Sequence, residues 1–245
     1  MTPPIWRQRL SEETVERIRR ERYAPRFTQV DYLHLRDLKN CLEKVFAGLE
    51  RTEGPALDLF CGTQPYREMI PSGPVIGFDI DLHFGRSDVV GALPLPFADA
   101  SFGLVVCTQA LHLVDDPRAT VREMHRVLRP GGVAVVTVPH IFRREIPAER
   151  ELNRSDLARL FDGWDVRVTG FGGAGAALVF APASLALGAA RRAPVLRMGL
   201  PALGLLLTST GLLLDTVFSP MNLPHASLAV CATRRWNSNG GHGTG

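Results

Sequence analysis

Between residues 28 and 49 apolar side chains recur as Leu35, Leu38, Leu42, Val45, Phe46 and Leu49, the spacing of one helix face. A charged, periodic stretch at 11–23 precedes it, so the chain opens with two helices. An isolated helix of this length has little stability of its own, and the second stripe must lie on a sheet or on the first helix. The pattern then shortens. Apolar runs at 56–60, 74–78, 104–107 and 133–138 are bounded by Gly or Pro and are too short for buried helices, which marks them as strands. Between the last two, Asp116-Pro117 supplies an N-cap acceptor and a proline at the first helical position, and Pro130-Gly131-Gly132 supplies the stop. A helix at 155–161 and strands at 165–170 and 227–233 complete the set. Strands alternating with helices predict an α/β fold with a parallel sheet between layers of helix.

One stretch departs from that alternation. Residues 173–190 and 198–214 contain no charged side chain, and the link between them holds Arg191, Arg192 and Arg197. Each half is near the lower limit of about 17–25 residues needed to cross a bilayer, and Pro182 and Pro201 weaken both as straight spans. Three readings stand: a helical pair covering the sheet edge, a homodimer surface, or a membrane-facing element with its arginines at anionic head groups. The tail at 236–245 reads as disordered.

Composition narrows the function classes. With 45% hydrophobic and 22% charged residues in 245, the chain has a core to bury, and wholesale disorder is excluded. Lys and Arg exceed Asp and Glu by only three, with no basic tract, so nucleic acid is not implied as a partner. Cys41, Cys61, Cys107 and Cys231 lie far apart without a C-x-x-C pair, which points to neither a metal site nor a disulfide framework. The first ten residues lack an apolar run suited to a signal peptide, and the expected location is cytoplasmic.

In an open parallel sheet a ligand lies beyond the carboxyl ends of the strands. Leu57-Asp58-Leu59-Phe60-Cys61-Gly62-Thr63-Gln64-Pro65-Tyr66 puts a carboxylate at the end of the first strand, then a small-residue turn at a helix start. The next strand ends in Gly77-Phe78-Asp79-Ile80-Asp81, and a carboxylate there can accept two hydrogen bonds from a ribose diol. An adenosine-bearing cofactor is indicated.

Over residues 55–169, with a weaker match in the last strand, the chain resembles the class I S-adenosylmethionine-dependent methyltransferases, especially the bacterial type 11 group. Leu57 to Thr63 is similar to that family's first cofactor motif and Ile76-Gly77-Phe78-Asp79 to its second. Leu95-Pro96-Phe97-Ala98-Asp99-Ala100-Ser101-Phe102 and Arg126-Val127-Leu128-Arg129-Pro130-Gly131-Gly132 match the blocks before its fourth and fifth strands. The resemblance implies a Rossmann-like, mostly parallel sheet whose last strand is antiparallel. It also implies S-adenosylmethionine as cofactor. Asp58, Cys61 and the Gly62 turn would surround the methionine part, Asp79 and Ile80 the ribose, and Leu95 and Phe97 the adenine, while Thr108 and Gln109 would face the sulfonium and the acceptor. Residues 1–50 would form part of the acceptor side, and 51–235 the methyltransferase domain with an apolar helical insert at 173–218.

The chain also departs from the family. Phe60 stands where the first glycine is usual and Gln64 where the third often is, while Gly91 and Ala92 replace an acidic residue that meets the adenine. A ring at Phe60 either crowds the cofactor or points into the core. His112 and His140 follow the fourth and fifth strands, where an imidazole is suited to take a proton from a nucleophile; the blander reading is a histidine bonded to backbone. The leading expectation is methyl transfer to a small-molecule or lipid-linked acceptor. The alternative is a non-catalytic scaffold on the same fold. A nicotinamide dehydrogenase is disfavoured because the turn lacks G-x-G-x-x-G spacing.

Overall fold

The computed structural model describes residues 9–49, 52–139, 152–218 and 225–235. Among these, seven strands form one sheet: β1 (Ala56–Leu59), β2 (Val75–Asp79), β3 (Val89–Val90), β4 (Phe102–Thr108), β5 (Leu128–Pro139), β6 (Asp165–Phe171) and β7 (Ser227–Thr233). Their order is β3-β2-β1-β4-β5-β7-β6. The first five pair in parallel, and β7 runs antiparallel to both β5 and β6. The order reverses between β1 and β4, which makes the carboxyl ends of those two strands the topological switch point. The expected fold class is the one observed.

The central strands are buried on both faces, so their sequences read as continuous apolar runs. Odd and even positions divide between two layers. Leu57, Leu59, Val105 and Val136 pack with Val121 and Met124 of α3 (Pro117–Val127) and Leu157 of α4 (Arg154–Leu160). Ala56, Leu104, Val106 and Val135 pack with Leu38, Cys41, Leu42 and Phe46 of α2 (Tyr32–Ala47). Burying such Leu, Val and Phe side chains stabilises by roughly 1.5–3 kcal/mol each. The helix starts are written locally: Ser11 caps α1 (Glu12–Tyr23), Asp116 caps α3 ahead of Pro117, and Asn153 closes a capping box with Asp156 on α4.

Two elements differ from the sequence expectation. No full helix follows the first turn; a single 3-10 turn at Arg67–Met69 stands there. Gln64 has left-handed backbone (φ 51) immediately before Pro65, and Pro71, Gly73 and Pro74 follow, so there is no stretch in which a helix could propagate. The second is Pro201, which lies in the first turn of α6 (Leu200–Phe218), where its missing N–H leaves no bond unmade. It therefore does not interrupt that helix, whereas Pro182 does lie inside α5 (Ala174–Arg192). The tail at 236–245 is outside the described residues.

The charge-free segments form a helical hairpin, α5 and α6 joined through a 3-10 turn at Pro194–Gly199. It leaves the sheet at the carboxyl end of β6 and returns into β7 across a closed neck: Phe171 pairs with Ser227, and Ala226 N–H donates to Gly172 O at 3.3 Å. Ala176, Ala177, Val179, Ala183 and Leu207 pack with Val30 and Leu33 at the start of α2. The two helices approach at glycines, since a Cβ on Gly175 would lie 1.8 Å from the Gly211 carbonyl oxygen. Gly173, the N-cap of α5, has no side chain to offer, and Asp215 of α6 accepts the Gly175 N–H at 2.6 Å instead.

Candidate functional site

Register places the candidate residues together. Asp58 on β1 aligns with Gly77 on β2 and Val106 on β4, so the segments that follow β1, β2 and β4 emerge side by side at the switch point. The Gly62 N–H donates to Asp79 Oδ2 at 2.9 Å, and the Ile80 N–H donates to Asp79 Oδ1 at 2.9 Å. Asp79 thus ties the turn after β1 to the end of β2. An ionised carboxylate has about four acceptor positions, so two remain. Burial raises the Asp79 pKa, against the lowering effect of these backbone donors. Ile80 itself is 62% exposed.

Asp58 is buried, and burial pushes its pKa up to about 7, opposed by the positive charge of Arg67 and reinforced by Asp79 and Asp88. The cluster beside it is organised by Arg67, which donates to Asp88 Oδ2 at 2.8 Å, to Gln64 Oε1 at 2.9 Å and to the Val75 carbonyl. Asp88 also accepts the Gly77 N–H at 2.7 Å. Neither Arg67 nor Asp88 was legible as a site residue, because each acts through contacts between segments far apart in sequence.

The two departures at the turn have separate structural answers. Gln64 is buried, and its amide lies over Gly77: a Cβ on Gly77 would sit 1.9 Å from Gln64 Nε2. The glycine on β2 makes the room that a glycine at position 64 would otherwise have made. Phe60 is left-handed (φ 58), half-buried, and packs edge to face on Phe78 with ring centroids 6.3 Å apart. Phe78 in turn meets Phe97 at 6.0 Å and Phe97 meets Phe102 at 5.0 Å, a row of rings running from the turn to the start of β4. Cys61 is buried, which raises its thiol pKa and keeps it protonated.

The loop before β4 is held from below. Arg126 on α3 donates to the carbonyls of Leu95 and Phe97 at 2.9 and 2.8 Å and to Asp99 at 2.7 Å, while Glu123 accepts the Leu95 N–H at 2.7 Å. Glu123 and Arg126 also pair directly. Leu95 is buried in the core, whereas Phe97 is half-buried. Of these two sequence candidates, Leu95 presents chiefly backbone.

Thr108 ends β4 and Gln109 follows it. Gln109 is left-handed (φ 52), its N–H donates to Thr137 O at 2.9 Å, and its Nε2 is buried with no hydrogen-bond partner. Thr63 Oγ1 in the first turn is likewise buried and unpartnered. His112 is buried, and burial lowers its pKa to about 4, so it is neutral at pH 7. It lies within electrostatic reach of His34 on α2, also held at about 4, whose ring meets Phe180 of α5 at 5.2 Å. His140 is outside the described residues. On the other flank α1 crosses the loops: Arg19 donates to Glu68 at 2.7 Å and to Gln64 O at 3.4 Å, and Arg86 pairs with Glu16. His34 and Glu123 carried no site signal in the sequence, and Arg126 stood there only at the head of the block before the fifth strand; the i, i+3 spacing of Glu123 and Arg126 was the further signal available.

Residues 57–136 match the family described as Methyltransferase domain. Curated relatives include a demethylmenaquinone methyltransferase of Listeria monocytogenes, 36% identical over 96 residues, covering 31% of this chain and 40% of the relative. The same-named protein of Lysinibacillus sphaericus is 33% identical over 117 residues, covering 40% and 49%. The chain therefore spans less than half the length of these relatives. Among solved structures, the [4+2]-cyclase SpnF aligns with TM-score 0.56 at 17% identity over 81% of this chain and 82% of that one. A Haemonchus contortus phosphoethanolamine N-methyltransferase 2, solved with phosphomonomethylethanolamine and S-adenosylhomocysteine, aligns at 0.51 and 13%, covering 80% and 52%. The structural likenesses establish the fold alone. Residues 57–136 thus match a methyltransferase domain, and the fold around them is one that these solved structures share.

Proposed function

We propose that the chain transfers the methyl group of S-adenosylmethionine to a small-molecule or lipid-linked acceptor of quinone-like, apolar character. The observation that carries this reading is the set of buried polar groups gathered at the switch point. Thr63 Oγ1 and Gln109 Nε2 are buried and unpartnered, Asp58 is buried near the end of β1, and Asp79 keeps two acceptor positions. Such groups suit a ligand that carries an ammonium, a carboxylate and a ribose diol. When bound, the cofactor supplies an electrophilic methyl on a sulfonium. The protein's part is to orient it: Asp58 opposite the ammonium, Asp79 and the Ile80 segment at the ribose, the half-buried Phe97 ring near the adenine, and Thr108 and Gln109 toward the acceptor.

Methyl transfer from a sulfonium needs chiefly close, in-line positioning, so a dedicated base is optional. His112, neutral and buried, stands on the acceptor side with His34 as a polar element rather than a charged one. The acceptor class follows the names of the relatives and the apolar helices, α5 among them, that approach this side. Calorimetric titration with S-adenosylhomocysteine tests the cofactor reading, and mass analysis of a demethylated quinol incubated with enzyme and S-adenosylmethionine tests the acceptor. A methyl increment on the quinol is the expected outcome. Binding without an increment overturns the quinone-like acceptor alone.

A second reading, a scaffold without catalysis, is favoured by one observation: Phe60 places a ring where the first glycine of the turn is usual. Absence of any heat with S-adenosylhomocysteine would make it the better account.

A further inference from the structure

The hairpin is built inside out for a protein in water. On α6 the buried positions are Gly204, Leu207, Thr208 and Gly211, while Leu206 is 62% and Leu213 64% exposed. On α5 the buried residues are chiefly alanines, and Leu178 and Leu185 face outward. Small residues at the contact and large apolar residues outside is the arrangement of helices that pack against one another in lipid, where apolar side chains have no reason to turn inward. In a water-facing helix the preference is the reverse.

The turn between the helices adds a second signature. Val195 is 72% exposed and Met198 85%, and Arg192 and Arg197 are exposed in the same segment. Residues 173–214 contain no acidic side chain at all. Among the described residues one helical stretch, Val195–Phe218, is long and apolar enough to cross a bilayer, with mean hydropathy 1.5 and 17% of its apolar window buried. Yet the opposite side of the hairpin is docked against Val30 and Leu33 at the start of α2, and Pro182 inside α5 removes one backbone donor from that helix. A pair held to the domain along one side cannot cross a membrane without carrying the domain with it, which leaves the interface as the place where it could meet a bilayer.

We propose that the exposed side of the α5–α6 hairpin and its Val195–Met198 tip is a docking surface for an anionic phospholipid bilayer, apolar side chains in the acyl boundary and Arg192 and Arg197 at the head groups. This does not rest on methyl transfer. The hairpin leaves the sheet at the carboxyl end of β6, the end that also carries Gln109 and His112, so docking would turn the candidate acceptor side toward the lipid.

The test uses the full chain, without cofactor, in cosedimentation with phosphatidylglycerol–phosphatidylcholine vesicles at low salt, beside S-adenosylhomocysteine titration as an independent check of the site. The parent is expected in the pellet with these vesicles and far less with phosphatidylcholine alone. Arg192→Gln with Arg197→Gln weakens binding roughly 30-fold, about five-fold for each charge. Leu206→Ser with Met198→Ser, both exposed and so tolerated by the fold, removes binding to either vesicle. Met198→Trp, read by emission shift and by quenching with brominated acyl chains, places the tip in the boundary. A parent that stays in the supernatant overturns the proposal, as does a dimer in sedimentation equilibrium that the Leu206→Ser, Met198→Ser variant dissociates, because the face then belongs to a second copy.

Discussion

Asp58 is a buried carboxylate whose ionisation bears both on folding and on the proposed ligand. Its folded pKa of about 7 lies above the ordinary carboxylate value, so between about pH 4 and 7 the folded state holds a proton that the unfolded state has lost. Stability is therefore greatest at the acidic end of that window, falls as pH rises through it, and is flat above it. Asp58→Asn should abolish this slope and leave the protein at least as stable as the parent at pH 8, which urea unfolding at pH 5 and 8 would reveal. If Asp58 pairs with the ligand's ammonium, it must ionise first. S-adenosylhomocysteine affinity should then weaken up to ten-fold per unit as pH falls below about 7, and the Asn variant should show weak, pH-independent binding. Asp79→Ala should cost about 1.5–3 kcal/mol of ligand binding by calorimetry, through loss of a charge-assisted acceptor; equal affinity in parent and variant would remove Asp79 from the site. Phe60→Gly relieves a left-handed residue worth roughly 1–2 kcal/mol while deleting a half-buried ring. Its net destabilisation should be about 1–3 kcal/mol, below the roughly 3–5 typical of a fully buried Phe. At this scale the sequence exposed Asp58 and Asp79 as strand-end carboxylates but could not show where the Phe60 ring points, because a left-handed residue breaks the alternation from which facing is inferred.

Among elements, α3 does more than cover the sheet. The Arg126 guanidinium holds two carbonyls and Asp99 of the 95–99 loop, and Glu123 holds the Leu95 N–H. Arg126→Met keeps the stem and removes the charge, leaving those groups and Glu123 without their partner. A loss of about 1–3 kcal/mol in urea unfolding is expected, with weaker ligand binding if this loop meets the adenine. Strand and helix periodicity made α2, α3, β1, β2, β4 and β7 legible, since each carries several apolar residues at one repeat. β3 was not, because two residues hold no period; its place is fixed by pairing with Phe78 and Asp79. The missing helix after β1 was hidden for a related reason: the turn resembles a helix-starting motif, and only Pro65, Pro71 and Pro74 speak against a helix there.

For the molecule as a whole, composition distinguished a folded α/β protein from other classes but was silent on the hairpin's packing, since an apolar run reads alike whether its large side chains face in or out. The neck beneath that hairpin carries a topological consequence. With Phe171 opposite Ser227 and Gly172 bonded to Ala226, β6 and β7 are already adjacent antiparallel strands, and the roughly fifty residues between them are an excursion from a closed β-hairpin. Loop-closure entropy grows as (3/2)RT ln n, so exchanging residues 173–225 for a four-residue turn should return about 2 kcal/mol to strand pairing. Against this stands the uncovering of Leu33 on α2 and of Val30 just before it, which polar substitution there would offset. Such a chain is expected to keep its sheet and the proposed S-adenosylhomocysteine site, separating membrane docking from ligand binding.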